Sequence, residues 1–205
     1  MAVSQFVTGS ALRRSLLPAL GMMLVAMGVV LCGQGIWIHA KAFVAQILLE
    51  RAFSESIETG APVKPWNWAD TWPVARIEVP RLEESAIALK GASGQALAFG
   101  PGHLDNTPMA GERGTAVYAA HRDTHFAFLK NVEENDQILV TRSDGKTVSY
   151  RVSHMAVVRW DEARIAPDRE GRHLVLATCY PFDAITPGPL RYLVYADMET
   201  GKSGD

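Results

Sequence analysis

"LVLATCYPFD", residues 174–183, decides how this chain folds. It opens as an apolar run with β-branched Val175 and Thr178, is too short for a typical helix, and stops at once on an aromatic residue and a proline. Those features read as a buried strand followed by a turn. Working outward, the same signature recurs in "VARIEVP", "SAIALK", "GTAVYAAH", "DQILVTR", "KTVSYRVSHMAVVRW", "HLVLATCY" and "LRYLVYADM", each bounded by Gly, Pro, Asp or Asn. Seven or eight short strands are expected, and strands at that spacing make a small barrel or sandwich. Asp144-Gly145 in "SDGK" suits a two-residue hairpin turn. Short helical pieces are expected near "GQALAFG" and "HFAFLKNV".

The segment Leu16–Ile38, "LLPALGMMLVAMGVVLCGQGIWI", holds no charged residue. About 20 apolar residues cross a bilayer as a helix, so this segment is expected to be a membrane anchor. A cleaved signal peptide competes, because Ala40 and Ala42 make an A-x-A-like site, but its apolar region runs only about 7–15 residues. Arg13 and Arg14 precede the span with no acidic residue before them, which favours a cytoplasmic N-terminus, while Lys41 behind it weakens that bias. The expected organisation is a cytoplasmic N-terminus over 1–15, a single-pass anchor over 16–38, a helical stalk and Trp/Pro-rich linker over 39–73, one domain over 74–198, and a flexible tail over 199–205. The domain then lies on the extracytoplasmic side. The linker "TGAPVKPWNWADTWP" shows neither helical nor alternating periodicity, and its tryptophans suit either a membrane interface or packing on the domain.

Lys and Arg total 20 against 22 Asp and Glu, and no long basic run appears, so charge gives no reason to expect nucleic acid as a partner. Cys32 falls inside the apolar span and Cys179 far from it, so the two are not expected to be bridged. Leu31 is too bulky for a lipoprotein signal before Cys32. Cys179 is left as an exported free thiol, which points to reactivity or to an intermolecular bond.

Residues able to act chemically concentrate at strand ends: His121, Asp123 and His125 after "GTAVYAA", Cys179 after "HLVLA", and Arg191 opening the last strand. A thiol needs a base or cation nearby to become a thiolate, and an attacked carbonyl needs a donor for its developing oxyanion. Cysteine, histidine and arginine together meet those needs. A free thiol and a free imidazole with ordinary pKa values are simultaneously thiolate and imidazolium in only about 1% of molecules at pH 7, so a small active fraction is expected unless the two are coupled.

"AAHRDTHFAFL", "LATCYPFD" and "GPLRYLVYA" resemble the three signature segments of sortases, the membrane-anchored cysteine transpeptidases. "PWNWADTWPVARIEVP", "GASGQALAFGPGH", "HRDTHF" and "TCYPFD" are similar to the sortase class of Gram-negative proteobacteria, and the resemblance runs from Trp66 to Tyr195. Ala120 departs from the glycine that often precedes the histidine, and Ala177 from a bulkier residue. The resemblance implies an eight-stranded sortase β-barrel, Cys179 as nucleophile, His121 as general acid and base, and Arg191 steadying substrate and oxyanion. Asp123, Thr178 and Tyr180 are weaker candidates for binding substrate or positioning loops. The implied substrate is an exported protein with an LPxTG-like C-terminal sorting signal, cut between Thr and Gly, the second substrate an amine acceptor at the cell envelope, and the location the inner (cytoplasmic) membrane with the domain on the periplasmic side. No cofactor is expected.

Two other readings stay open. If "HRDTH" were extended, His121, Asp123 and His125 would share one face and suit a metal-dependent hydrolase, although Arg122 stands where a helical zinc-protease motif has Glu. A membrane-tethered binding domain with a merely structural cysteine is the non-enzymatic alternative. The acidic "VEENDQ" invites a calcium reading, but a solvated loop before a strand accounts for it.

Overall fold

The computed structural model describes residues 8–199. The first seven residues of the expected cytoplasmic N-terminus, and the expected tail from residue 200 onward, lie outside the described residues. The described residues divide into two compact units, one ending at Val44 and the other beginning at Ala45.

Helix α1 runs Thr8–Thr59. Among the described residues it supplies one segment, Pro18–Thr59, long and apolar enough to cross a membrane. A signal sequence would have the same character. Within the second unit, the end of α1 is part of the domain. Leu49 and Phe53 are buried with Ile87, Leu89 and Ala96, and Gln46 Nε2 donates to the Phe99 carbonyl at 2.8 Å. The Arg76 guanidinium lies 5.1 Å over the Phe53 ring and pairs with Glu50. The stretch between α1 and the first strand also packs on the domain: Trp66 meets Phe99 edge-on at 5.0 Å and Ala69 is buried, while Trp68 faces outward.

Eight strands close into a barrel: β1 (Pro73–Val79), β2 (Glu84–Lys90), β3 (Gly102–His103), β4 (Gly114–Ala119), β5 (Gln137–Arg142), β6 (Thr147–Arg159), β7 (Arg172–Tyr180) and β8 (Leu190–Met198). Their order around the wall is β1-β2-β3-β4-β7-β8-β6-β5, and β1 pairs with β5 to close it. All seven patterned runs are strands. The eighth, β3, is two residues long and carries no β signature of its own. The helical pieces are α2 (Gly94–Leu97), capped by the Ser93 side chain, and a 3-10 turn over Ala127–Asn131.

The hairpin at Asp144-Gly145 differs from the expected two-residue turn. Gly145 N donates to the Arg142 carbonyl, Arg142 N donates to the Lys146 carbonyl, and only Gly145 has positive φ, at 80°. Ser143, Asp144 and Gly145 thus form a three-residue loop with glycine at its left-handed position, a geometry that spares Asp144 a positive φ. The acidic loop before β5 is braced from within: the Asp136 carboxylate accepts from Arg81 Nε at 2.5 Å and from Glu133 N at 2.8 Å.

β4 and β7 run parallel in the wall, with Val117 beside Val175 and Ala119 beside Ala177. Both faces of this pair are covered, which is why "LVLATC" reads as a continuous apolar run rather than an alternation. Leu174 and Leu176 point into the barrel with Tyr118, Phe126, Val194 and Ala196. Val175 and Ala177 point outward into a second cluster with Val117, Leu193, Ala163 and Ile165. The connection between β6 and β7 covers that outer face. It is tied down where Thr115 N donates to the Pro167 carbonyl at 2.9 Å and Thr115 Oγ1 to the Ala166 carbonyl at 2.8 Å. Gly114 permits this approach: at its φ of 110°, a Cβ would lie 2.1 Å from the Pro167 oxygen.

Candidate active site

Cys179 and Arg191 are paired residues across β7 and β8, on the outward face of the wall. Cys179 is half-buried and unbridged. Arg191 Nη1 donates to the carbonyls of Gly188 at 2.9 Å and Leu190 at 2.8 Å, so this guanidinium is held by the loop that joins the two strands. The loop begins at Tyr180-Pro181, whose peptide bond is cis.

The end of β4 is fastened to β7 on both sides. Ala120 N donates to the Ala177 carbonyl at 3.1 Å, and the buried Thr178 Oγ1 donates to the Ala120 carbonyl at 2.7 Å. Extending the parallel register by two residues puts exposed His121 level with Cys179. Beyond it the chain turns, closed by Phe126 N donating to the His121 carbonyl at 3.1 Å and anchored by buried Phe126 and Leu129. Residues 121–125 are therefore a turn and not an extended segment.

That turn keeps the three side chains of the metal reading from grouping on one face. The Asp123 carboxylate accepts from Arg122 Nε at 3.1 Å, rather than from a backbone amide, and is otherwise exposed. Half-buried His125 lies beside the Ala98 carbonyl, and burial pushes its pKa below the ordinary value, opposed by that carbonyl and assisted by nearby His121. His125 thus stays neutral near pH 7. Among the described residues no three His, Cys, Asp or Glu side chains are grouped to hold a metal ion.

Cys179, His121 and Arg191 line one groove of about 320 Å³ whose walls are mostly apolar, including Leu97, Leu104, Val117, Ile165 and Leu193. Trp160, 62% exposed, stands on its edge. Tyr180 does not line the groove. It stacks with Tyr192 at 6.2 Å and meets Phe182 edge-on at 6.2 Å, and Phe182 and Tyr192 pack against the barrel interior. Such a groove suits an extended peptide with apolar side chains, presenting its backbone to a thiol, an imidazole and a guanidinium.

Sequence reasoning passed over Trp160 and Arg122. Trp160 closes a patterned run and gave no sign of facing a groove. Arg122 reads as a surface charge beside a histidine, yet it is 7% exposed.

Residues 77–199 match the sortase domain family. The chain is 30% identical to Sortase D of Bacillus subtilis (strain 168) over 124 residues, which is 60% of this chain and 63% of that protein. Among solved structures it resembles Sortase A from Corynebacterium diphtheriae, with 28% identity, a TM-score of 0.60, and coverage of 67% of this chain and 66% of that one. It also resembles sortase C-1 from Actinomyces oris, with 28% identity, a TM-score of 0.55, and coverage of 63% and 75%. The matched region thus spans a little under two thirds of the first two relatives.

Proposed function

The chain belongs to the sortase family, and from that premise we propose that it is a membrane-anchored transpeptidase acting through Cys179, His121 and Arg191 on an exported protein. The observation that carries the reading is the Cys179–Arg191 pairing at the end of one groove, with His121 brought level by the β4–β7 register.

The Cys179 thiolate attacks the carbonyl of the scissile peptide bond, forming a C–S bond while the carbonyl π electrons move onto oxygen. Arg191 Nη1 is occupied by its loop, so Nε–H and the two Nη2 hydrogens are the donors left to meet that oxyanion. As the intermediate collapses the C–N bond breaks, and the His121 imidazolium gives its proton to the leaving amine. A thioester remains on Cys179. The acceptor amine then attacks it, neutral His121 takes the proton, and the thiolate departs. Half-buried His125, held neutral, does not compete for that proton near pH 7.

The substrate in this reading is an LPxTG-like sorting signal, cut between Thr and Gly. The apolar groove walls suit its Leu and Pro. α1 serves as a single-pass anchor with its N-terminus in the cytoplasm, which leaves the domain on the extracytoplasmic side of the inner membrane. The deciding experiment is mass spectrometry of the intact enzyme after incubation with candidate sorting peptides. A thioester adduct on Cys179 is expected. An adduct elsewhere, or activity that a chelator abolishes and thiol alkylation spares, would remove the reading.

A further inference from the structure

We propose that Arg122 is a positioning residue, whose guanidinium clamps the β7–β8 loop to the turn carrying His121 and through that loop sets the pose of the Arg191 guanidinium. The proposal rests on the site reading above, in which Arg191 meets the oxyanion.

Arg122 follows His121 directly, yet its side chain turns inward. Nη2 donates to the Ala184 carbonyl at 2.5 Å and to the Thr186 carbonyl at 3.2 Å, and Nε donates to Asp123 at 3.1 Å. Arg191 takes the Gly188 and Leu190 carbonyls of the same loop. Two guanidinium groups therefore grip alternate carbonyls of one connection: 184 and 186 from the His121 side, 188 and 190 from the Arg191 side.

The loop has little else to hold it. Ile185 is fully exposed and Asp183, Thr186 and Pro187 face outward. Apart from Phe182 at its start, its backbone contacts are Ala184 N to the Pro181 carbonyl at 3.3 Å and Trp160 N to the Pro189 carbonyl at 2.8 Å. Between those anchors the chain is held by Arg122 at Ala184 and Thr186 and by Arg191 at Gly188.

Stability alone gives a poor reason for an arginine here. A buried guanidinium is costly to desolvate, its one carboxylate partner is 74% exposed and so weakly paired, and Nη1 is buried without a partner among the described residues. An apolar side chain would fill the space without that penalty. What only the guanidinium supplies is a rigid planar set of donors able to reach two carbonyls and a carboxylate at once, whereas lysine offers one ammonium on a flexible stem.

The test is a double-mutant cycle on the full-length enzyme in detergent, with turnover of a sorting peptide, thermal melting and Cys179 alkylation measured for wild type, Arg122→Lys, Arg191→Lys and the double variant. Arg122→Lys is expected to lower kcat about tenfold or more, with KM within about threefold and the alkylation rate within about twofold, and to cost less than about threefold once Arg191 is already lysine. Additive losses, or an unchanged kcat per reactive thiol, overturn the proposal while leaving the site reading intact. Full activity of Arg191→Lys overturns both. If Arg122→Lys lacks a cooperative melt, Arg122→Gln enters the same cycle, and failure of both to fold assigns Arg122 a purely structural role instead.

Discussion

Cys179 and Arg191 stand opposite each other across the antiparallel β7–β8 ladder, so their side chains leave the sheet on the same face. Directly opposed residues have Cβ atoms about 4.5–5.5 Å apart, close enough for one substrate carbonyl to meet both groups. Cys179→Ala is therefore expected to fold and bind a sorting peptide without forming an acyl-enzyme. Arg191→Lys keeps the charge but not the planar donors, and a loss of about 10²–10³ in turnover is expected with the thiol still reactive toward a small alkylating agent. Single-turnover mass spectrometry reads both variants; a loss below about fivefold would place Arg191 outside the site.

His121 and His125 stand at the two ends of the turn, and of the two only His121 lines the groove. His121→Ala is expected to lower turnover by about 10²–10⁴-fold, the range of general acid–base catalysis. His125→Gln, which keeps a polar side chain of similar size beside the Ala98 carbonyl, is expected to cost far less. Equal losses at the two positions would revive a metal site, and steady-state rates with and without chelator would settle it.

His103 gives the fold a pH dependence with a definite sign. It is 2% exposed; its Nε2 lies 3.0 Å from the Pro108 carbonyl, which can only accept, so the proton sits on Nε2. Nδ1 is buried with no partner among the described residues, and burial holds the His103 pKa below its ordinary value. The unfolded chain thus binds a proton at a pH where the folded chain does not. Stability is full above about pH 6.5 and falls as pH drops from there toward the folded value, and His125 adds to the same slope. Urea melts at about pH 7.5 and about pH 5.5 are expected to differ, with the lower midpoint at acid pH, and His103→Gln is expected to shrink the difference. A wild-type midpoint that does not move would contradict this.

Phe53 tests whether the end of α1 belongs to the domain. It is 1% exposed among Leu49, Ile87, Leu89 and Ala96. Phe53→Ala is expected to cost about 3–5 kcal/mol, as large-to-small changes in a packed core do. Denaturant titration checks this, and a cost under about 1 kcal/mol would mean that the helix end merely rests on the barrel.

The barrel wall was legible because seven strands announce themselves by composition and turn residues. β3 did not, since Gly102 and His103 owe their strand geometry to pairing with β2 and β4 rather than to propensity. Cys179, His121 and Arg191 were picked out as a set of chemical needs and by resemblance, and the structure brings the three to one groove, but the groove itself was not legible. Its walls come from residues distant in sequence, Leu97, Val117, Ile165 and Leu193, and no periodicity links them. Arg122 was illegible for the opposite reason: a charge in a polar turn is normally solvated. Only the folded loop brings it the carbonyls that allow burial.

The two-faced wall at β4, β7 and β8 separates the freedom to mutate from the need to hold shape. Leu174, Leu176, Val194 and Ala196 fill the barrel, while their chain neighbours Val175, Ala177 and Leu193 look into the outer cluster and its groove. That outer row is itself divided: Val117, Val175 and Leu193 are as deeply buried as the interior, and Cys179 and Arg191 continue the same face, so of these wall positions Ala177 is the one where side-chain size can change without emptying a packed cluster or touching the paired thiol and guanidinium. A directed-evolution library confined to half-buried Ala177 and exposed Trp160 is expected to reshape the groove at little cost in foldability, whereas one moved to buried Val117, Leu176 and Leu193 is expected to sample mostly collapse.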